Sequence, residues 1–145
     1  MPTSADIRDG ICNLLVRTLD DSGAGGYVVG SPGGVDSALA VALCCHAVGP
    51  SRVRGLFLPS AVTPSADAAD VSALAAAFRI RTDTIPIDPI IREYTRIPGC
   101  GESRHVIGNL MARTRMTLLY FAANSDSSLV CGTSNRTEYL LGYCT

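Results

Sequence analysis

The chain has 145 residues, of which 47% are hydrophobic and 17% charged, and its formal net charge is −1. That length suits one domain with its own core, and the composition excludes a disordered tail. The near-neutral balance leaves no basic footprint for nucleic acid or an anionic membrane surface. The longest apolar run, ALAVALCC from Ala38, is far too short to cross a bilayer. The first ten residues, MPTSADIRDG, carry early acidic residues and no apolar signal core, so a cytoplasmic protein is expected. Without a secretion signal, the cysteines read as reduced, buried thiols rather than as disulfides. Cys44, Cys45 and His46 are consecutive and cannot all point one way from a helix; with no CxxC pair, a zinc site is not expected.

In chain order, Thr3 and Asp6 stand at capping-box spacing before Ile7, Ile11, Leu14, Leu15 and Leu19, which predicts a first helix that stops at Gly23–Gly26. Tyr27–Gly30 reads as a buried strand, followed by a helix over 35–48 with Gly49-Pro50 as its stop. A second strand is expected over 53–59, a helix over 65–78 and a third strand over 82–87. From Asp88 to His105 the periodicity fades, and RIPGCGESRH reads as a turn-rich, mobile loop. Helical spacing returns over 106–123, then a fourth strand over 127–132 and a short helix over 134–143, stopped by Gly142. Strands that alternate with helices at this spacing predict an α/β fold, a doubly wound parallel sheet with helices on both faces.

In such a sheet, ligands bind at the carboxyl ends of the strands, so the turn after the first strand is the place to look. Gly33 and Gly34 allow close backbone approach, and the N–H groups that open the next helix can face an anion. Ser37 adds a hydroxyl, and Asp36 suits a magnesium ion that bridges it to phosphate oxygens. A tight turn with an ordinary helix cap explains the glycines alone; Asp36-Ser37 after an apolar strand favours a phosphate site. The turn matches neither GxxxxGK[ST] nor GxGxxG.

GSPGGVDSALA, from Gly30, resembles the SGGxDS pyrophosphate loop of the PP-loop ATP pyrophosphatases. With GNLMARTRMTLLYFAAN from Gly108 and LVCGTSNRTEYLLGYCT from Leu129, the chain from Tyr27 onward resembles the NAD synthetases, less so between Asp88 and His105. The resemblance implies a Rossmann-like PP-loop domain over residues 1–145, lacking the family's C-terminal part, with a helix over 1–22 that packs on it or at a dimer interface. It implies ATP contacts at Gly30, Ser31, Pro32, Gly33, Gly34, Val35, Asp36, Ser37 and Thr133, magnesium ligands at Asp36 and Glu138, and deamido-NAD contacts at Asn109 and Arg113. It also implies a homodimer with small-molecule substrates, and an ATP-dependent amidation of deamido-NAD through an acyl-adenylate, with no covalent nucleophile. Since nothing precedes the short first helix, free ammonia is the expected nitrogen source. The alternatives are another PP-loop adenylating enzyme, such as the GMP synthetase type, or an inactive nucleotide-binding fragment.

Each site position has a plainer rival. Arg113 and Arg115 can form a solvated helix face, and Glu138, three residues after Asn135, can complete a capping box. His46 and His105 read as packing and loop residues. Two departures from the family stand out. Pro32 replaces a serine and removes both a hydroxyl and an N–H from the loop, with Ser31 expected to point to the opposite side. The chain also stops at Thr145, before the family's Lys-Tyr-Gly-Asp segment, so a further strand is expected to be missing and the sheet edge open.

Overall fold

A computed structural model describes residues 2–99 and 103–143. The elements are α1 (Ser4–Ser22), β1 (Tyr27–Gly30), α2 (Val35–Val48), β2 (Val53–Phe57), α3 (Ser65–Phe78), β3 (Arg81–Thr84), α4 (Asp88–Thr95), α5 (Arg104–Ser125), β4 (Leu129–Cys131) and α6 (Arg136–Leu141). The strands form one four-stranded parallel sheet in the order β3-β2-β1-β4, with Val29 level with Gly55 on one side and Cys131 on the other. The doubly wound expectation holds.

Side chains alternate across β1, and the two core clusters follow from that period of two. Tyr27 and Val29 join Leu19, Val41, Cys44 and Ile80 on one face. Val28 joins Leu56, Ile87, Ile91, Ala122 and Ala123 on the other. Thr3 and Asp6 form the expected capping box, and Gly23 ends α1 in the left-handed region at φ 68°. The Tyr27 hydroxyl donates to the Leu15 carbonyl at 2.7 Å and fixes α1 to the sheet. Only part of the α1 stripe is consumed: Leu19 is buried, whereas Ile7, Ile11 and Leu14 stay exposed. Arg54 on β2 pairs with Asp83 of β3 and with Asp126 after α5, each at 2.6 Å. Burial pushes the Asp83 carboxyl up, but the hydrogen bond and charge of Arg54, with help from Arg81, outweigh it and hold the group below the usual carboxylate range.

Several boundaries differ from the expectation. The strand expected over 82–87 is β3, at Arg81–Thr84: the β2 ladder ends at Phe57, whose carbonyl takes the Ile85 N–H, and Ile87 donates instead to the Pro59 carbonyl in the loop beyond. The stretch after Asp88 is not all loop. It opens with α4, whose Pro89 sits in the first turn and whose Ile91 is buried beside Ile87. Residues 100–102 of the expected mobile loop lie outside the described residues. His105 belongs to the first turn of α5, not to a loop. The last strand and helix are shorter than expected. Among the described residues β4 is an edge strand, with all its residues half-buried. Cys12, Cys44, Cys45 and Cys131 are free thiols, Cys45 and Cys131 only half-buried, while Cys100 and Cys144 lie outside the described residues. The hydrogen bond with Cys131, then burial, pushes the Cys44 thiol up, consistent with an inert core thiol. Among the described residues, no helix is long and apolar enough to cross a membrane.

Candidate functional site

β1 and β4 are parallel neighbours, so the segments that leave their carboxyl ends emerge side by side. One is the turn from Gly30 to Gly34 that opens α2. The other is Gly132 to Asn135, which opens α6. The turn is built by special backbone angles. Gly33 lies at φ 93°, which strains any residue with a Cβ, and a Cβ there would stand a tight 3.2 Å from the Cα and Cβ of Asp67 on α3. Gly34 caps α2 in extended geometry without a side-chain hydrogen bond. The N–H groups of Gly33, Gly34, Val35, Asp36 and Ser37 meet no acceptor among the described residues. Uncapped amides with the helix dipole behind them form a receptor for an anion.

The serines of the turn face inward. Ser31 donates its N–H to the Leu56 carbonyl at 2.9 Å, and its buried Oγ, turned over Gly55, has no hydrogen-bond partner among the described residues. Ser37 is buried too, and its hydroxyl donates to the Gly34 carbonyl at 2.7 Å rather than outward. Pro32 stands exposed between them. Gly30 is level with Leu56 and approaches Leu119 of α5.

Asp36 and Glu138 are brought together through Asn135. The Asn135 amide nitrogen donates to Asp36 Oδ2 at 3.3 Å. Its carbonyl oxygen accepts from the Glu138 N–H at 2.9 Å, and Glu138 Oε2 accepts from the Asn135 N–H at 3.0 Å. The capping box foreseen as a rival reading is therefore present, and it engages only one carboxylate oxygen of Glu138. Asp36, Thr133 and Asn135 line a cavity of about 380 Å³ whose other wall is Ile11 and Leu15 of α1.

The remaining expected contacts lie apart from this cluster. Asn109 meets the His105 ring at 3.1 Å and lines a second cavity of about 800 Å³ with Gly108, Gly142 and Tyr143. Arg113 is exposed on α5 and lines neither cavity. Arg115 is not part of a solvated face: it is half-buried, burial lowers its pKa, and its Nε donates to the Leu58 carbonyl at 3.0 Å. It thereby holds the loop between β2 and α3. Sequence reasoning gave no role to Asp67, whose contact with Gly33 is long-range and carries no local signal. It read Asn135 only as a cap.

A family model described as NAD synthase matches residues 7–145. The chain belongs to the NAD synthase family. It is 52% identical over 120 residues to the NH(3)-dependent NAD(+) synthetase of Methanoregula boonei, covering 83% of this chain and 48% of that protein. Among solved structures, the NH3-dependent NAD synthetase of Campylobacter jejuni, in complex with nitrate, superposes with a TM-score of 0.93 at 32% identity, over 100% of this chain and 62% of that one. The glutamine-dependent NAD+ synthetase of Acinetobacter baumannii, in complex with ADP, gives 0.93 at 31% identity, over 100% of this chain and 28% of that one. The chain spans about half the length of the curated NAD synthetases it matches. These matches do not favour the GMP synthetase type of PP-loop enzyme.

Proposed function

We infer that the chain carries the ATP half-site of an ammonia-dependent NAD synthetase. The observation that carries the reading is the meeting of Asp36 and Glu138, through Asn135, at the mouth of an uncapped glycine turn. In the proposed reaction, the nicotinate carboxylate of deamido-NAD attacks the α-phosphorus of ATP and pyrophosphate leaves. Ammonia then attacks the acyl carbon, AMP leaves, and the amide of NAD remains. Gly33, Gly34 and the first amides of α2 receive the polyphosphate, and Thr133 contributes a hydroxyl from the adjacent segment. Arg113 and Asn109 on α5 are assigned to the dinucleotide substrate, Arg113 as a charge that meets its phosphates.

Asp36 and Glu138 fit a magnesium ion, since hard oxygen donors in small number, completed by phosphates and water, are what that ion takes. Glu138 keeps Oε1 free of the capping box, and Asp36 is exposed in the first turn of α2. Bound there, magnesium supplies charge neutralisation for the leaving pyrophosphate. The nitrogen source is assigned as free ammonia because the curated relatives at 41–52% identity are named NH(3)-dependent. A homodimer and a cytoplasmic location belong to the same reading; exposed Ile7 and Leu14 on α1 support the first. The test is formation of AMP and NAD from ATP, deamido-NAD, ammonia and magnesium. Nucleotide binding without pyrophosphate release would instead favour a non-catalytic nucleotide-binding role.

A further inference from the structure

We propose that Asn135 is a positioning residue that locks α6 to α2 and sets the spacing of the Asp36 and Glu138 carboxylates. The inference rests on the metal-ligand reading of those two residues given above. Asn135 makes contacts of two kinds. Toward its own helix it is an N-cap, accepting from the Glu138 N–H at 2.9 Å while its N–H donates to Glu138 Oε2 at 3.0 Å. Toward the neighbouring helix, its Nδ2 donates to Asp36 Oδ2 at 3.3 Å, across 99 residues of sequence. A serine or aspartate would cap as well, because capping needs only an oxygen acceptor. Neither reproduces the second contact: serine is too short to span the gap, and aspartate has no donor and repels the facing carboxylate.

The geometry has a consequence for Asp36. Its side chain is exposed at the start of α2, where a carboxylate has several rotamers and only water to choose between them. The amide of Asn135 selects one. Held so, Oδ2 of Asp36 is occupied and Oδ1 is left outside this contact. Glu138 is held likewise through Oε2, which leaves Oε1. One residue thus holds one oxygen of each carboxylate, Glu138 through its main-chain N–H and Asp36 through its side-chain amide, and leaves the other oxygen of each free of these bonds. Outer partners of this kind typically contribute tenfold or more to metal affinity.

The test separates capping from positioning with Asn135→Ser and Asn135→Ala, measured on the whole chain. Manganese binding in the presence of ATP, followed by electron paramagnetic resonance, is the first readout. Asn135→Ser should keep the melting temperature within a degree or two of wild type, yet weaken manganese binding by about tenfold. Asn135→Ala should lose both. The second readout needs no metal: thermal unfolding of Asp36→Ala, Asn135→Ser and the double variant should be non-additive, because the two side chains touch. Wild-type manganese affinity in Asn135→Ser, or strict additivity, would overturn the positioning role and leave Asn135 a helix cap. Failure of the wild-type chain itself to bind manganese with ATP would overturn the metal-ligand reading, and the proposal with it.

Discussion

Replacing Pro32 with serine tests how the glycine turn receives phosphate. The structure shows what the turn now lacks. The Ser31 N–H is committed to Leu56, the Ser31 hydroxyl is buried over Gly55, and the Ser37 hydroxyl is committed to Gly34. Pro32 has no N–H and no hydroxyl. The donors left are main-chain N–H groups from Gly33 onward. Serine at 32 adds two donors at the exposed apex. A hydrogen bond to a charged group contributes roughly 1.5–3 kcal/mol, so even one such bond should tighten MgATP binding by about tenfold to a hundredfold. The opposing term is small: proline restrains the unfolded chain, and its loss should cost about 0.4–1 kcal/mol of stability. Calorimetric titration of MgATP into the Pro32→Ser, Pro32→Ala and parent chains reads the effect directly. Alanine restores the N–H alone and should fall between the other two. Equal affinity in all three folded proteins would refute the reasoning, because it would mean that nothing at position 32 faces the nucleotide.

Further predictions follow from single contacts. Gly33→Ala forces φ 93° on a residue with a Cβ and drives that Cβ into Asp67; urea unfolding should show a loss of about 2 kcal/mol or more, with nucleotide binding lost as well. Thr114→Val removes a buried hydroxyl that has no partner among the described residues and should raise the urea midpoint, by about 1 kcal/mol in stability. Asp83 has a folded pKa below its unfolded value, so its contribution is present above about pH 4 and is lost as pH falls through the lower folded value. Asp83→Asn should therefore destabilise the protein at neutral pH, by about 1 kcal/mol, and the gap to wild type should close in acid; a gap independent of pH would rule out the ion pair with Arg54 as its source.

The fold was legible wherever burial is carried by the local pattern. β1 and α2 have the expected bounds because YVVG is buried on both faces and the following apolar run is stopped by Gly49. α4 was not legible, since its single buried turn, Ile87 to Ile91, is split by Pro89 and followed by turn residues. Those isoleucines are buried by tertiary packing in one cluster with Val28 and Leu56 of the sheet and Ala122 and Ala123 of α5. β3 was read too long because Ile85 and Ile87 look like strand residues, yet β2 ends at Phe57, and beyond it the Ile87 N–H bonds only the loop. At the site, the glycine turn and Asp36 were legible as a motif. The inward turn of Ser37 and the approach of Asp67 to Gly33 were not, since both depend on how α2 and α3 settle on the sheet.

Glu138 shows why a structural and a functional reading of one residue need not compete. Read from spacing alone, Asn135-x-x-Glu138 is a capping box, and the box forms. It engages Oε2 of Glu138 and the side-chain oxygen of Asn135, and it leaves Oε1 and the Asn135 amide nitrogen for other work. That nitrogen is the group that reaches Asp36. A helix as short as α6 has little intrinsic stability, so its start must be fixed by its cap. A carboxylate that must meet an ion at a set position needs the same fixation. The cap therefore serves both purposes with one set of bonds. Glu138→Gln should then be mild for the helix, because glutamine also completes a capping box. It should be severe for metal binding, because the charge is gone. A variant that kept manganese affinity while unravelling α6 would reverse that assignment and make Glu138 a structural residue alone.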